Sequence, residues 1–180
     1  FVVIYSAVGA DEETIPTDNT QYNIAETSII KIPNQEPKKL GYTFEGWKTG
    51  TDDTVYKYGT QNDTYTVPND ISGAITFIAQ WSINEYKITY ELNGGINAEN
   101  APVSYTIETD TITLPVPTKD GYNFEGWYTD AAFENAVAAI AKGSVGDMVL
   151  YAKWSEKDMA VYKINSYEKG NVSVRKRTDT

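Results

Sequence analysis

The sequence predicts a mainly β (α+β) fold built from two small modules in tandem. Three observations carry this. A seven-residue block recurs: Gly41-Tyr42-Thr43-Phe44-Glu45-Gly46-Trp47 returns as Gly121-Tyr122-Asn123-Phe124-Glu125-Gly126-Trp127, identical at six of seven positions. Aromatic residues make up 13% of the chain, chiefly Tyr and Trp, which favour pleated, half-buried surfaces. Tyr86-Lys87-Ile88-Thr89-Tyr90-Glu91-Leu92 alternates without a break, the pattern of a strand with one wet face.

The first module spans 1–81. Its opening strand lies near Val2–Tyr5 and its second near Ser28–Ile32. Gly41 allows the tight turn that starts the motif. A long non-helical insertion follows Trp47; within it Val55–Gly59 and Tyr65–Pro68 read as extended. Phe77-Ile78-Ala79-Gln80-Trp81 closes the module. Residues 82–85 are a short linker.

The second module spans 86–154. Asn93-Gly94-Gly95 breaks its first strand, and a second strand lies within Val103–Leu114, with a bend at Thr109-Asp110. Pro115 and Pro117 begin an extended connection to the motif. There, strict alternation puts Tyr122, Phe124 and Gly126 on one face and Asn123, Glu125 and Trp127 on the other. Asp130 can cap a short helix over 131–142: Phe133, Val137 and Ile140 fall at helical spacing, and Gly143 suits the C-terminal cap. In Met148–Trp154, the alternate residues Met148, Leu150, Ala152 and Trp154 face the core. Residues 155–180 read as a linker plus a partial third unit or β-hairpin. Val161-Tyr162-Lys163-Ile164 echoes Tyr86-Lys87-Ile88, and Glu168-Lys169-Gly170-Asn171 suits a hairpin turn.

Composition excludes several chemistries. With no Cys and no His there is no thiol nucleophile, no imidazole base and no zinc site of the usual ligand type. The net charge of −10 repels phosphate backbones, so nucleic acid is not an expected partner. No apolar run approaches the roughly 20 residues that span a bilayer, so this segment is not expected to insert in a membrane. The chain opens inside a strand, without Met, and reads as a piece of a longer protein. Its lack of targeting signals is therefore uninformative.

Each conspicuous side chain has a functional and a bland reading. Trp47, Trp81, Trp127 and Trp154 could stack on a sugar or peptide. Their places on the repeat-defining blocks point instead to core packing, where a fully buried aromatic contributes about 2–3 kcal/mol. Glu45 and Glu125 would serve as a glycosidase pair only if about 5–10 Å apart across one cleft. One per repeat, they read as solvent-facing residues or partners of a nearby Lys. Asp52-Asp53, Asn62-Asp63 and Asn69-Asp70 offer oxygens, but none has the spacing of a calcium loop, and Asp and Asn are ordinary turn residues. Arg175-Lys176-Arg177 reads as a solvated basic run. Thr109, Thr111 and Thr113 are good strand formers. No catalytic, metal-binding or cofactor-binding residue is expected, and no ligand-binding residue is identified. A ligand patch, if present, is expected on Tyr56, Tyr58 and Tyr65 of the first repeat.

The ordered blocks are the Tyr-x-Ile-x-Tyr first strand, the Gly-Tyr-x-Phe-x-Gly-Trp core and the closing Ala-[Gln/Lys]-Trp strand. Together they cover about 1–81 and 86–154. In them the chain resembles the Listeria–Bacteroides repeat family, the B-repeat type of internalins and other bacterial surface proteins. The resemblance implies β-grasp-like modules, each a mixed sheet of about four strands with a short helix or loop. It implies extracellular display at a bacterial cell surface, in tandem arrays anchored through other parts of the protein, and no catalytic residues. The first repeat departs in its longer insertion, and 155–180 do not reach the central motif. The expected function is therefore a non-catalytic repeat segment acting as stalk or spacer, or in adhesion, with neighbouring repeats of the same chain as its partners. The alternative is a binding module for a host protein or glycan.

Overall fold

The computed structural model describes residues 1–158 and the backbone of 162–168 and 171–176. The first repeat supplies β1 (Val2–Ser6), β2 (Ile29–Lys31), β3 (Tyr42–Lys48), β4 (Thr64–Thr66) and β5 (Ala74–Ile83). The second supplies β6 (Tyr86–Glu91), β7 (Ser104–Tyr105), β8 (Ile112–Thr113), β9 (Tyr122–Tyr128), β10 (Ala136–Val137), β11 (Ala139–Ile140) and β12 (Met148–Glu156). β13 (Tyr162–Glu168) and β14 (Asn171–Lys176) form an antiparallel pair. Among the described residues the one helical element is a single 3₁₀ turn, Glu12–Thr14. The fold is mainly β, as the alternation and the aromatic content imply.

Both repeats build the same mixed sheet. In the first, β5 is central, parallel to β1 and antiparallel to β3. In the second, β12 is parallel to β6 and antiparallel to β9. β10 extends that sheet beyond β9, and β7 extends it beyond β6. Two short pairs sit outside these sheets, β2 with β4 and β8 with β11.

Two sequence expectations are corrected. The first is the strict alternation of the motif. Phe44 pairs with Trp81 and Gly46 with Gln80, so Glu45 is an extra, unpaired residue. In the second repeat, Phe124 pairs with Trp154 and Gly126 with Lys153, leaving Glu125 as the extra one. This is a β-bulge, and it shifts the side-chain phase by one residue. Trp47 therefore turns to the same buried face as Phe44, with ring centroids 5.0 Å apart; Phe124 and Trp127 lie 5.4 Å apart. The motif glycine supplies the backbone for the bulge, at φ +140° in Gly46 and +129° in Gly126.

The second is the helix over 131–142, where none forms. Val137 pairs with Trp127, and Ala139–Ile140 pair with β8. The Asp130 carboxylate does accept from the backbone N–H groups of Glu134 (3.1 Å) and Asn135 (2.8 Å), but it closes a loop rather than capping a helix. Phe133 sits at φ +59°, a left-handed conformation that no α-helix contains. Edge pairing with β9 and burial of Ile140 (3% exposed) outweigh the intrinsic helix preference of this Ala-rich stretch.

Packing groups the chain into two compact units. Unit one takes in Phe1–Lys87, Val103–Ile112 and Ala141–Asp147. Its core holds Trp47 and Phe77, both fully buried, with Ile30, Ile32, Tyr65 and Ile75 around them. Unit two takes in Ile88–Pro102, Thr113–Ile140 and Met148–Thr180. Among its described residues the core holds Leu150 and Ala152, fully buried, with Ile88, Leu114, Trp127 and Ile140.

Candidate functional site

The repeated motif is the natural place to look for a site, and its side chains are committed to packing. In the first repeat Tyr5, Trp47, Phe44 and Trp81 form a chain of rings with centroids 5.0, 5.0 and 5.6 Å apart. The second repeats it with Tyr90, Trp127, Phe124 and Trp154 at 5.2, 5.4 and 5.4 Å. Edge-to-face ring pairs of this kind contribute about 0.5–1.5 kcal/mol beyond the area they bury. The Trp127 indole N–H donates to Pro115 O (2.7 Å), and that of Trp154 to Leu92 O (2.9 Å). Trp47 and Trp127 are buried, while Trp81 and Trp154 are partly exposed. None of the four stands out as a bare stacking platform.

A lysine two residues before the motif glycine covers each motif tyrosine. The Lys39 ammonium lies 4.1 Å from the Tyr42 ring centroid, and that of Lys119 lies 4.2 Å from the Tyr122 centroid. Cation–π contacts at such exposed sites contribute about 0.5–1 kcal/mol. The sequence carries the signal in the shared spacing of Lys39 to Gly41-Tyr42 and of Lys119 to Gly121-Tyr122.

The carboxylates of Glu45 and Glu125 are exposed on the bulge, and each accepts a hydrogen bond from a serine hydroxyl, Ser82 and Ser155 respectively. The partner is thus a serine, where a lysine was one expectation. Asp52 accepts from the Thr54 N–H (2.7 Å) and the Tyr56 hydroxyl (3.0 Å), which makes it a turn residue. Asp53 pairs with Lys48 at 3.4 Å, and both are solvent-accessible. Among the described residues no cluster of three or more carboxylates is placed to hold a metal ion. Thr109 and Thr111 use their hydroxyls internally, accepting from the N–H groups of Thr106 (2.9 Å) and Lys142 (3.2 Å). The side chains of Arg175-Lys176-Arg177, and the turn residues Lys169-Gly170, lie outside the described residues.

The tyrosines of the insertion do not form a ligand patch. Tyr65 is 3% exposed and Tyr56 9%, both packed edge-on to Phe77; only Tyr58 is open. They are core because Tyr56 bridges Trp47 through two 2.8 Å backbone hydrogen bonds, and Tyr65 lies on β4 facing inward. Several tyrosine hydroxyls carry raised pKa values, Tyr56 and Tyr105 among them. In Tyr56 burial is the main cause, helped by the bond to Asp52; in Tyr105 it is burial, helped by nearby Tyr86 and Asp147.

The repeats differ beside the bulge. Val55 and Lys57 flank the bridging Tyr56 and cover Gly46, and the Lys57 ammonium donates to Phe44 O at 2.9 Å. The matching positions of the second repeat, beside Val137, are Ala136 and Ala138. These shorter side chains border an open, largely apolar dent of about 410 Å³ over Gly126, lined also by Leu114, Phe124 and Trp127. It has no polar group positioned for chemistry apart from the exposed Glu125.

Among the described residues no helix is long and apolar enough to cross a membrane. The chain matches the Listeria–Bacteroides repeat domain family at residues 1–80 and again at 86–153. It is 34% identical over 152 residues to the "Putative Gly-rich membrane protein" of Evansella cellulosilytica, covering 80% of this chain and 17% of that protein. It is 35% identical over 136 residues to a "Putative membrane protein" of the same organism, covering 74% of this chain and 19% of the relative. It is 33% identical over 144 residues to Internalin H of Listeria monocytogenes, covering 77% of this chain and 24% of the internalin. The chain thus spans less than a quarter of each of these relatives. No solved structure matches it. The two family matches coincide with the two sheets that share one ring chain and one bulge, and the chain belongs to the Listeria–Bacteroides repeat domain family, of which it carries two successive copies.

Proposed function

We propose that this chain is a non-catalytic spacer segment of a bacterial cell-surface protein. Its modules would be 1–81 and 86–154, joined by 82–85. One observation carries the reading: what recurs between the copies is what packs a module. Ring chain and bulge glycine are spent internally, and the exposed motif residues Glu45 and Glu125 each hold only a serine hydroxyl. The parallel pairing of first and last strands in each sheet supports a β-grasp-like module. The names of the relatives support a surface location, and the small share of them that the chain covers suits a repeat within a longer protein.

Limited proteolysis tests the scheme. Cuts are expected near 82–85 or 155–160. A cut within 41–47 or 121–127 of the native protein would overturn it. Adhesion is separated from spacing by a glycan and host-surface array: saturable binding by the isolated chain would replace the spacer reading with a binding one.

A further inference from the structure

The corner formed by Gly41 and Tyr42 is filled. Within unit one, the turn Thr106–Thr109 lies against it. A Cβ on Gly41, whose φ is +79°, would stand 2.7 Å from Ile107 Cβ, and the Tyr42 hydroxyl donates to the Glu108 carboxylate. Only glycine admits the isoleucine this closely. The turn is shaped in advance by its own hydrogen bonds. Thr109 N–H donates to Thr106 O (3.1 Å), Thr106 N–H to Thr109 Oγ1 (2.9 Å) and Gly143 N–H to Ile107 O (3.1 Å).

The second repeat has the same corner. Gly121 has φ +75°, and the Lys119 ammonium covers Tyr122 as Lys39 covers Tyr42. The chain also leaves both repeats alike: Asn84 N–H donates to Gly41 O and Lys157 N–H to Gly121 O, each at 2.9 Å. Among the described residues, however, no atom beyond its own chain neighbours lies within 4 Å of where a Cβ on Gly121 would stand.

The first repeat has the matching turn. Tyr22 stacks on Phe1 at 5.2 Å as Tyr105 packs on Tyr86 at 5.6 Å, so the two tyrosines are counterparts. After them, Asn23-Ile24-Ala25-Glu26 aligns with Thr106-Ile107-Glu108, with one residue more. Glu26 N–H and Thr27 N–H both donate to Asn23 O, at 3.0 and 2.9 Å, and close this turn. Ile24 is 40% exposed.

We propose that the Gly-Tyr corner is a repeat-to-repeat docking site, and that Gly121–Tyr122 takes the Ile24–Glu26 turn of a second copy of this chain. The isoleucine fills the space over the glycine, and the carboxylate accepts the tyrosine hydroxyl, as Ile107 and Glu108 do at the first corner. One aliphatic side chain and one hydrogen bond make a weak contact between separate molecules. Tandem linkage compensates by raising the effective concentration to about the millimolar range. The inference rests on the repeat-segment reading only for the kind of partner. Its failure would leave the proteolysis result standing, because a spacer joined by its linker alone still resists cutting within its modules.

The test is by NMR on the whole chain. Isotope-labelled protein at low concentration is titrated with unlabelled protein to about 2 mM, the regime that tandem linkage imposes. Saturable shifts of the Gly121 and Tyr122 amides are expected, with the Gly41 and Tyr42 amides unmoved. Unlabelled Ile24→Ala should bind about fivefold more weakly, as a truncated aliphatic contact implies. Glu26→Gln is the companion variant, since an exposed change of this kind leaves the fold intact, and it should also bind more weakly. The proposal is overturned if Gly121 and Tyr122 do not shift, or if they shift equally with wild-type and both variants.

Discussion

Gly46→Ala and Gly126→Ala make the same change at the same motif position, and the structure gives them different costs. Both glycines sit at positive φ, +140° and +129°, so each alanine carries strain of about 1–3 kcal/mol. There the likeness ends. At Gly46 the new methyl would stand 2.5 Å from Val55 Cγ1 and 2.8 Å from Tyr56 O. The valine tip can move, but the carbonyl cannot move freely, because it accepts from Trp47 N–H in the two-bond bridge. Overpacking of this kind adds about 1–3 kcal/mol, and each bridge bond lost adds about 1 kcal/mol. At Gly126 the nearest described atom is Tyr128 Cε2 at 3.9 Å, an ordinary contact over the open dent. The first variant should therefore lose about 2 kcal/mol more than the second, or about 8–16 °C in Tm for a module of this size. Differential scanning calorimetry gives the overall loss. Amide exchange at Trp47 and Tyr56, against Trp127 and Val137, assigns it to a repeat. Equal losses, or a larger one from Gly126→Ala, would refute the argument that the Val55–Lys57 segment closes over the first bulge.

Three further outcomes are expected. Trp127→Phe should destabilise the second repeat by about 2–4 kcal/mol in urea, because it removes buried volume and leaves Pro115 O without the indole donor. The backbone N–H bonds from Glu134, then Asn135, hold the Asp130 carboxyl below the ordinary range. A lowered folded value means that its stabilisation is present above about pH 4 and is lost as pH falls through that folded value. Exchange of the Glu134 and Asn135 amides should therefore accelerate, relative to its intrinsic rate, at acidic pH, and Asp130→Asn should abolish that dependence. Glu45→Gln and Glu125→Gln should each change stability by less than about 0.5 kcal/mol in the same urea assay, since both carboxylates are exposed and hold one serine.

Most strands were legible because their signals are local. Alternation marks β6 in Tyr86–Leu92 and β12 in Met148–Trp154, and the closing block Phe77–Trp81 marks β5. The bulge was not, because a one-residue insertion in a ladder is defined by its partner strand. The fact that Phe44 pairs with Trp81 while Gly46 pairs with Gln80 is absent from the motif read alone. The glycine that directly follows each motif Glu was the available hint. The absent helix failed for a related reason. An Asp ahead of an Ala-rich stretch reads alike whether it caps a helix, accepting two or three residues on, or closes a loop, accepting from Glu134 and Asn135 as here; the edge of β9 decides between them. Buried Tyr56 and Tyr65 show the same limit: tyrosine in a long insertion looks like a surface patch until the bridge to Trp47 is seen.

In each repeat the strand by which the chain enters lies beside the strand by which it leaves, and the two run the same way. Pulled by its two ends, such a module has β1 drawn against β5, or β6 against β12, along the strand axes. The ladder is then loaded in shear. Its hydrogen bonds bear the tension together, whereas a hairpin pulled open yields them one by one. A segment so built resists extension far better than its modest size suggests. Under force its lifetime is set by the rate at which that one ladder slips, not by the equilibrium stability of the whole module.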